Sequence, residues 1–146
     1  MAGIEGQAEA QVAADPAACV AVLEDFERYP DWQELIDEVK VIEHDSDGRG
    51  TVIEAVTRLA VKTFRYRLVY EHAPGRMRAR RIGGDFKHVE LEWRIDAGPD
   101  GGSHVSYAFK GEASWALDRL LAPVRDAARR EMVDDVVANL KERVGS

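Results

Sequence analysis

The feature that most constrains this chain is a change of hydrophobic period along it. From Val39 to Lys110 apolar residues recur at every second position, in short segments separated by turn dipeptides. From Leu117 to Val144 they recur at mostly three- and four-residue spacing. Period two puts alternate side chains on opposite faces of a strand, whereas a spacing of three and four lines up one face of a helix. A chain carrying both must bury a sheet face against a helix stripe.

The segments follow in a definite order. Ile4, Gly6, Ala8, Ala10 and Val12 alternate with Glu5, Gln7, Glu9 and Gln11, which predicts a half-buried strand. Asp15-Pro16 has the chemistry of a helix start, a carboxylate N-cap followed by proline at the first helical position. Val20, Leu23 and Phe26, with Ala17 and Cys19 nearby, supply a short apolar stripe. Tyr29-Pro30 is expected to end that helix, because the residue before proline is pushed out of the helical region. A second short turn of helix is expected over Trp32 to Ile36.

Strands then alternate with turns at Asp47-Gly48, Pro74-Gly75, Gly83-Gly84-Asp85 and Gly98 to Gly102. Phe64, Tyr66, Leu68 and Tyr70 share one side of their strand. So do Val89, Leu91, Trp93 and Ile95, and so do Val105, Tyr107 and Phe109. The final stripe runs through Leu117, Leu120, Leu121, Val124, Ala128, Met132, Val136, Leu140 and Val144, with Pro123 marking a start or a kink. The predicted class is α+β: a curved antiparallel sheet of about seven strands wrapped around a long C-terminal helix, with two short helices after strand 1. Residues 1–146 are expected to form a single domain.

Composition narrows the function. Twenty Lys+Arg against twenty-seven Asp+Glu give a formal net charge of −7, the wrong sign for a nucleic-acid or anionic-membrane partner. A lone cysteine, Cys19, excludes an intramolecular disulfide. No apolar run approaches the ~20 residues of a membrane span, and Met1 to Gln11 shows no signal-peptide pattern, so a cytoplasmic location is expected. His44, His72, His88 and His104 lack metal-ligand spacing, so no metal and no cofactor are expected. Neither a phosphate-binding glycine loop nor a Gly-x-Ser-x-Gly elbow occurs.

The runs Val12-Ala13-Ala14-Asp15-Pro16 and Val22 to Trp32, followed by Val39-Lys40-Val41-Ile42-Glu43, resemble the START-like helix-grip superfamily. The likeness is to its polyketide cyclase/dehydrase and lipid-transport branch, which includes coenzyme Q-binding proteins, and it extends from Ile4 to Val144. It implies a cavity between sheet and long helix that takes a lipid, a quinone, a polyketide or another largely apolar molecule. Ring-cyclising relatives carry a tyrosine on the second short helix and two arginines on the middle strands. Ile36 and His72 stand at two of these positions and only Arg81 matches, a departure that argues against cyclase chemistry.

The inward aromatic set, Phe64, Tyr66, Tyr70, Trp93, Tyr107 and Phe109, is expected to line the cavity. Trp32 has two readings, a wall at the cavity mouth or an anchor for the short helices. Arg81 shares a side with Met77 and Ala79 and points either into the cavity or, as a strand-end arginine, to solvent. Arg76, Arg78 and Arg80 are expected on the wet face, pairing with Glu54 or Glu92. His72 shares the aromatic side, where an imidazole could move a proton, but it precedes Pro74-Gly75, and an exposed position is expected. The leading expectation is a non-catalytic binder or carrier of an apolar small molecule. The alternatives are a polyketide aromatase/cyclase or dehydratase using Arg81 with His72 or Tyr66, and a ligand-free protein-interaction module.

Overall fold

The computed structural model describes residues 3–59 and 62–145. Strand β1 (Ile4–Val12) leads into helix α1 (Pro16–Glu24) and a 3-10 turn (Phe26–Asp31). Six strands follow: β2 (Ile36–His44), β3 (Gly50–Leu59), β4 (Lys62–Ala73), β5 (Arg76–Gly84), β6 (His88–Ala97) and β7 (Ser103–Glu112). They form one antiparallel sheet in the order β1-β7-β6-β5-β4-β3-β2. The chain then runs helically over residues 115–145 through α2 (Trp115–Leu121), α3 (Arg125–Arg129) and α4 (Asp135–Gly145). The observed architecture is the helix-grip fold.

Helix α1 starts as its sequence dictates: the Asp15 carboxylate accepts the Ala18 N–H at 2.8 Å, and Pro16 occupies the first turn. Its end differs from expectation. Asp25 leaves the helical region at φ −86°, ψ 68°, and Pro30 lies inside the 3-10 turn. The reason is the Tyr29 hydroxyl, which donates to the Leu23 carbonyl left open at the end of α1 and holds the turn against the helix. No helical turn covers Trp32 to Ile36. The N–H groups of Trp32 and Gln33 both return to the Tyr29 carbonyl, at 3.1 and 2.9 Å, and Ile36 already belongs to β2.

β1 turns Gly6, Ala8 and Ala10 toward the C-terminal helix. A Cβ on Gly6 would lie 3.3 Å from a Val133 methyl, so these small residues set how close the helix can approach. The interior joins Cys19, Leu23 and Phe26 to Leu59, Phe64, Val105, Val133 and Leu140, all fully buried. The helix is not uniform. Pro123 sits in a 3-10 segment (Ala122–Val124), and residues Arg130–Asp134 widen into a π turn. Leu120, expected on the stripe, is about half exposed, because Leu117, Leu121 and Val124 carry the stripe past it.

The wet face holds ion pairs across neighbouring strands. Glu92 lies 2.6 Å from Arg76, 3.5 Å from Arg94 and 3.9 Å from Arg78. Glu54 pairs instead with Arg65 and Arg67 at 2.8 and 3.0 Å, since β3 borders β4 and cannot reach β5.

Candidate ligand-binding site

Between the concave sheet face and the C-terminal helix lies an open cavity of about 450 Å³. That is within the ~300–1,000 Å³ range of small-molecule sites. Its inner wall comes from β3, β4, β6 and β7, where period-two alternation aims Ala55, Leu68, Val89, Trp93 and Phe109 inward. Its helix wall is Met132, Val136 and Asn139, and Met132 belongs to the π turn. The fourth side is the stretch from Gln33 to Ile36 together with Val39.

All four tyrosines of the chain line this cavity, each set there by a different local constraint. The Tyr29 hydroxyl is tied to the Leu23 carbonyl, and that of Tyr66 lies 2.9 Å from the Thr57 hydroxyl. The hydroxyls of Tyr70 and Tyr107 meet no protein hydrogen-bond partner among the described residues, although both residues are buried. Burial is the main cause pushing all four phenols above their ordinary range, and mutual repulsion reinforces it for Tyr29, Tyr70 and Tyr107. The inner end of the cavity is therefore apolar and uncharged, with two phenolic donors free for an acceptor.

The rim has a different character. Glu34, Arg58, Glu131 and Asp135 line the cavity while remaining exposed to solvent. The Arg58 guanidinium lies 3.3 Å from the Asp37 carboxylate. Among the described residues no cluster of three potential metal ligands occurs.

Six of the residues expected in the site line the cavity: Ile36, Tyr66, Tyr70, Trp93, Tyr107 and Phe109. Phe64 does not. It is fully buried and stacks on Phe86, 4.8 Å between centroids, at the end of the sheet. Trp32 packs on the edge of Tyr29 at 5.2 Å, outside the cavity lining, and its indole N–H is buried without an acceptor. Arg81 lies on the inward side of β5, opposite Leu68, but folds back to donate to the carbonyls of Gly84 and Asp85 at 2.7 and 3.3 Å. It thereby braces the β5–β6 connection.

His72 corrects a second expectation, since its side chain is 3% exposed. Nε2 sits 2.7 Å from the Gly50 carbonyl, Nδ1 3.7 Å from the Glu24 carboxylate, and the ring packs against Phe26 and Tyr70. The covering groups come from α1 and the 3-10 turn, which close the strand end that the Pro74-Gly75 turn would otherwise leave open. Arg58, Glu131 and Asp135 escaped sequence reasoning because each reads as an ordinary polar position on an amphipathic element.

A second groove, of about 600 Å³, lies along the outer face of β1 and β4 to β7. Arg78, Arg80, Glu90, Glu92 and Lys110 flank it, so it lacks the apolar enclosure of the inner cavity.

Sheet, gripped helix and open aromatic chamber together define a START-like ligand-binding domain. Over residues 12–137 the chain matches the family described as polyketide cyclase/dehydrase and lipid transport, and it belongs to that family. Among solved structures it is similar to a START superfamily protein from Mycobacterium smegmatis, with a TM-score of 0.80 at 16% identity over 97% of each chain. A Thermus thermophilus protein superimposes with a TM-score of 0.81 at 21% identity over 96% of each chain. The Zhui aromatase/cyclase of a Streptomyces species gives 0.69 at 16% identity over 97% of this chain and 96% of its own. At these identities the likeness is one of fold. No curated protein matches the chain.

Proposed function

We propose that this protein binds or carries a hydrophobic small molecule of lipid, quinone or polyketide type, held between the sheet and the C-terminal helix. The observation that carries the reading is the cavity itself: the gap is not filled by side chains, and its inner wall is aromatic. Removing the apolar body of a ligand from water there contributes roughly 25 cal/mol per Å² before ordering costs. The open hydroxyls of Tyr70 and Tyr107 orient it by donating to a carbonyl or ether oxygen at its buried end. A neutral phenol is a donor that does not require the ligand to bring a charge into a dry site.

The family description and the likeness to the Zhui aromatase/cyclase support a second reading, ring closure or dehydration of a polyketide. Of the residues first considered for it, His72, Arg81 and Tyr66, only Tyr66 lines the cavity. Such chemistry would therefore run on the phenols.

The test is to purify the protein from its own host, detect bound molecules by native mass spectrometry and identify them after organic extraction. The same measurement is made on Ala55→Phe, which places a ring inside the cavity. The expected result is a stoichiometric apolar ligand in the parent protein and its loss in the filled variant, with unchanged circular dichroism. Equal retention by both would overturn the assignment to this cavity.

A further inference from the structure

We infer that the molecule bound in this cavity carries a cationic group of the alkylammonium type at its solvent end. This rests on the cavity reading above and adds the chemistry of the ligand's outer end.

Two independent observations meet at the rim. The first is charge. Glu34 stands beside the short strand-entry stretch, while Glu131 and Asp135 lie one helical turn apart on the opposite wall, so carboxylates border the opening from two sides. Arg58 is the only cationic side chain lining the cavity among the described residues, and it lies 3.3 Å from Asp37. The second is an amide facing the cavity without a protein partner. Gln33 is 7% exposed and lines the same cavity, and its side chain has no hydrogen-bond partner among the described residues. A primary amide that faces the cavity without a protein partner leaves its carbonyl oxygen open to an incoming donor. Asn139, half-buried on the helix wall, offers a second such oxygen.

An ammonium group has three N–H donors and no acceptor, and it matches an amide carbonyl flanked by carboxylates. The inner end offers no counter-charge, because its polar groups are phenols held neutral by burial. A ligand cation is thus excluded from the interior and accommodated at the rim. A carboxylate-headed ligand in the same orientation meets three like charges.

The test uses three probes with one naphthyl-alkyl body, ending in an ammonium, a hydroxyl or a carboxylate group. Dissociation constants are measured by titration calorimetry on the intact protein at low salt. Exposed ion pairs are individually weak, so the expected margin is modest: the ammonium probe binds at least about fivefold more tightly than the alcohol, and the carboxylate more weakly than either. The ratio of ammonium to alcohol affinity falls toward one in Glu131→Gln/Asp135→Asn, and also in the parent protein at high salt. Both substitutions are at exposed positions, and unchanged melting confirms that the variant is folded. Equal affinity for the three probes, or a preference for the carboxylate, overturns this inference and leaves the cavity reading intact. Failure of all three to bind overturns the cavity reading itself.

Discussion

His72 shows how one side chain can tie together parts of the chain that are distant in sequence. Its Nε2 meets the Gly50 carbonyl on β3, and its ring is packed by Phe26 from the turn after α1. Replacing it with alanine leaves the buried Gly50 carbonyl without that partner and opens space beside Phe26. The expected result for His72→Ala is a loss of about 1–3 kcal/mol in urea unfolding, with apolar-probe affinity unchanged within about twofold. A large loss of affinity at unchanged stability would instead give His72 a place in the binding site. The residue's inward direction was legible from its alternation with Tyr70, but its burial was not. The groups that cover it, Glu24 and Phe26, lie more than 40 residues earlier in the chain. The same holds for the rim: Glu34, Arg58 and Glu131 come from separate elements, and a polar residue on a strand or helix reads as solvated until the fold sets it beside an opening.

Among the elements, β5 carries an irregularity whose cost can be measured. Its pairing with β4 shifts between Arg67 and Leu68, and Gly84 beside the shift has φ 89°, where a side chain is strained. A Cβ there would also lie 2.5 Å from the Arg65 carbonyl oxygen. Gly84→Ala is expected to cost at least about 1 kcal/mol, whereas Gly83→Ala, with open space around it, should have a far smaller effect. Comparable melting temperatures for the two variants would contradict this account of the bulge. The strands and the α1 cap were readable because period two and the Asp-Pro start are local signals. The π turn at Arg130–Asp134 was not, since its i→i+5 bonding leaves no mark in hydrophobic spacing. It nevertheless brings Glu131 and Met132 to the cavity.

At the scale of the whole molecule, gathering every tyrosine onto one chamber makes the chain's tyrosinate absorbance a report on that chamber. All four phenols are raised by burial, so the folded protein favours their neutral form. The unfolded chain ionises near pH 10, and the stability these groups contribute is fully present below that value. It is lost as pH rises through the folded values above it. Near-ultraviolet titration should show almost no tyrosinate at about pH 10 in the native protein, then a steep rise that coincides with unfolding. About an eighth of the full signal appearing at pH 10 with the fold intact would mean that one of the four is solvated and half ionised.

The sheet order has a further consequence, for the moment when the fold is made. β1 has one neighbour, β7, and their register joins Ile4 to Gly111 and Val12 to Ser103. During synthesis β1 leaves the ribosome before the other six strands, yet it has no partner until the last of them, β7, has followed. Closing so long a loop is entropically unfavourable and slows folding, so placing β1 comes late. Until then its small-residue face and unpaired backbone are open, and Glu5 and Glu9 on its other side are the charges that discourage a second nascent chain from pairing with it.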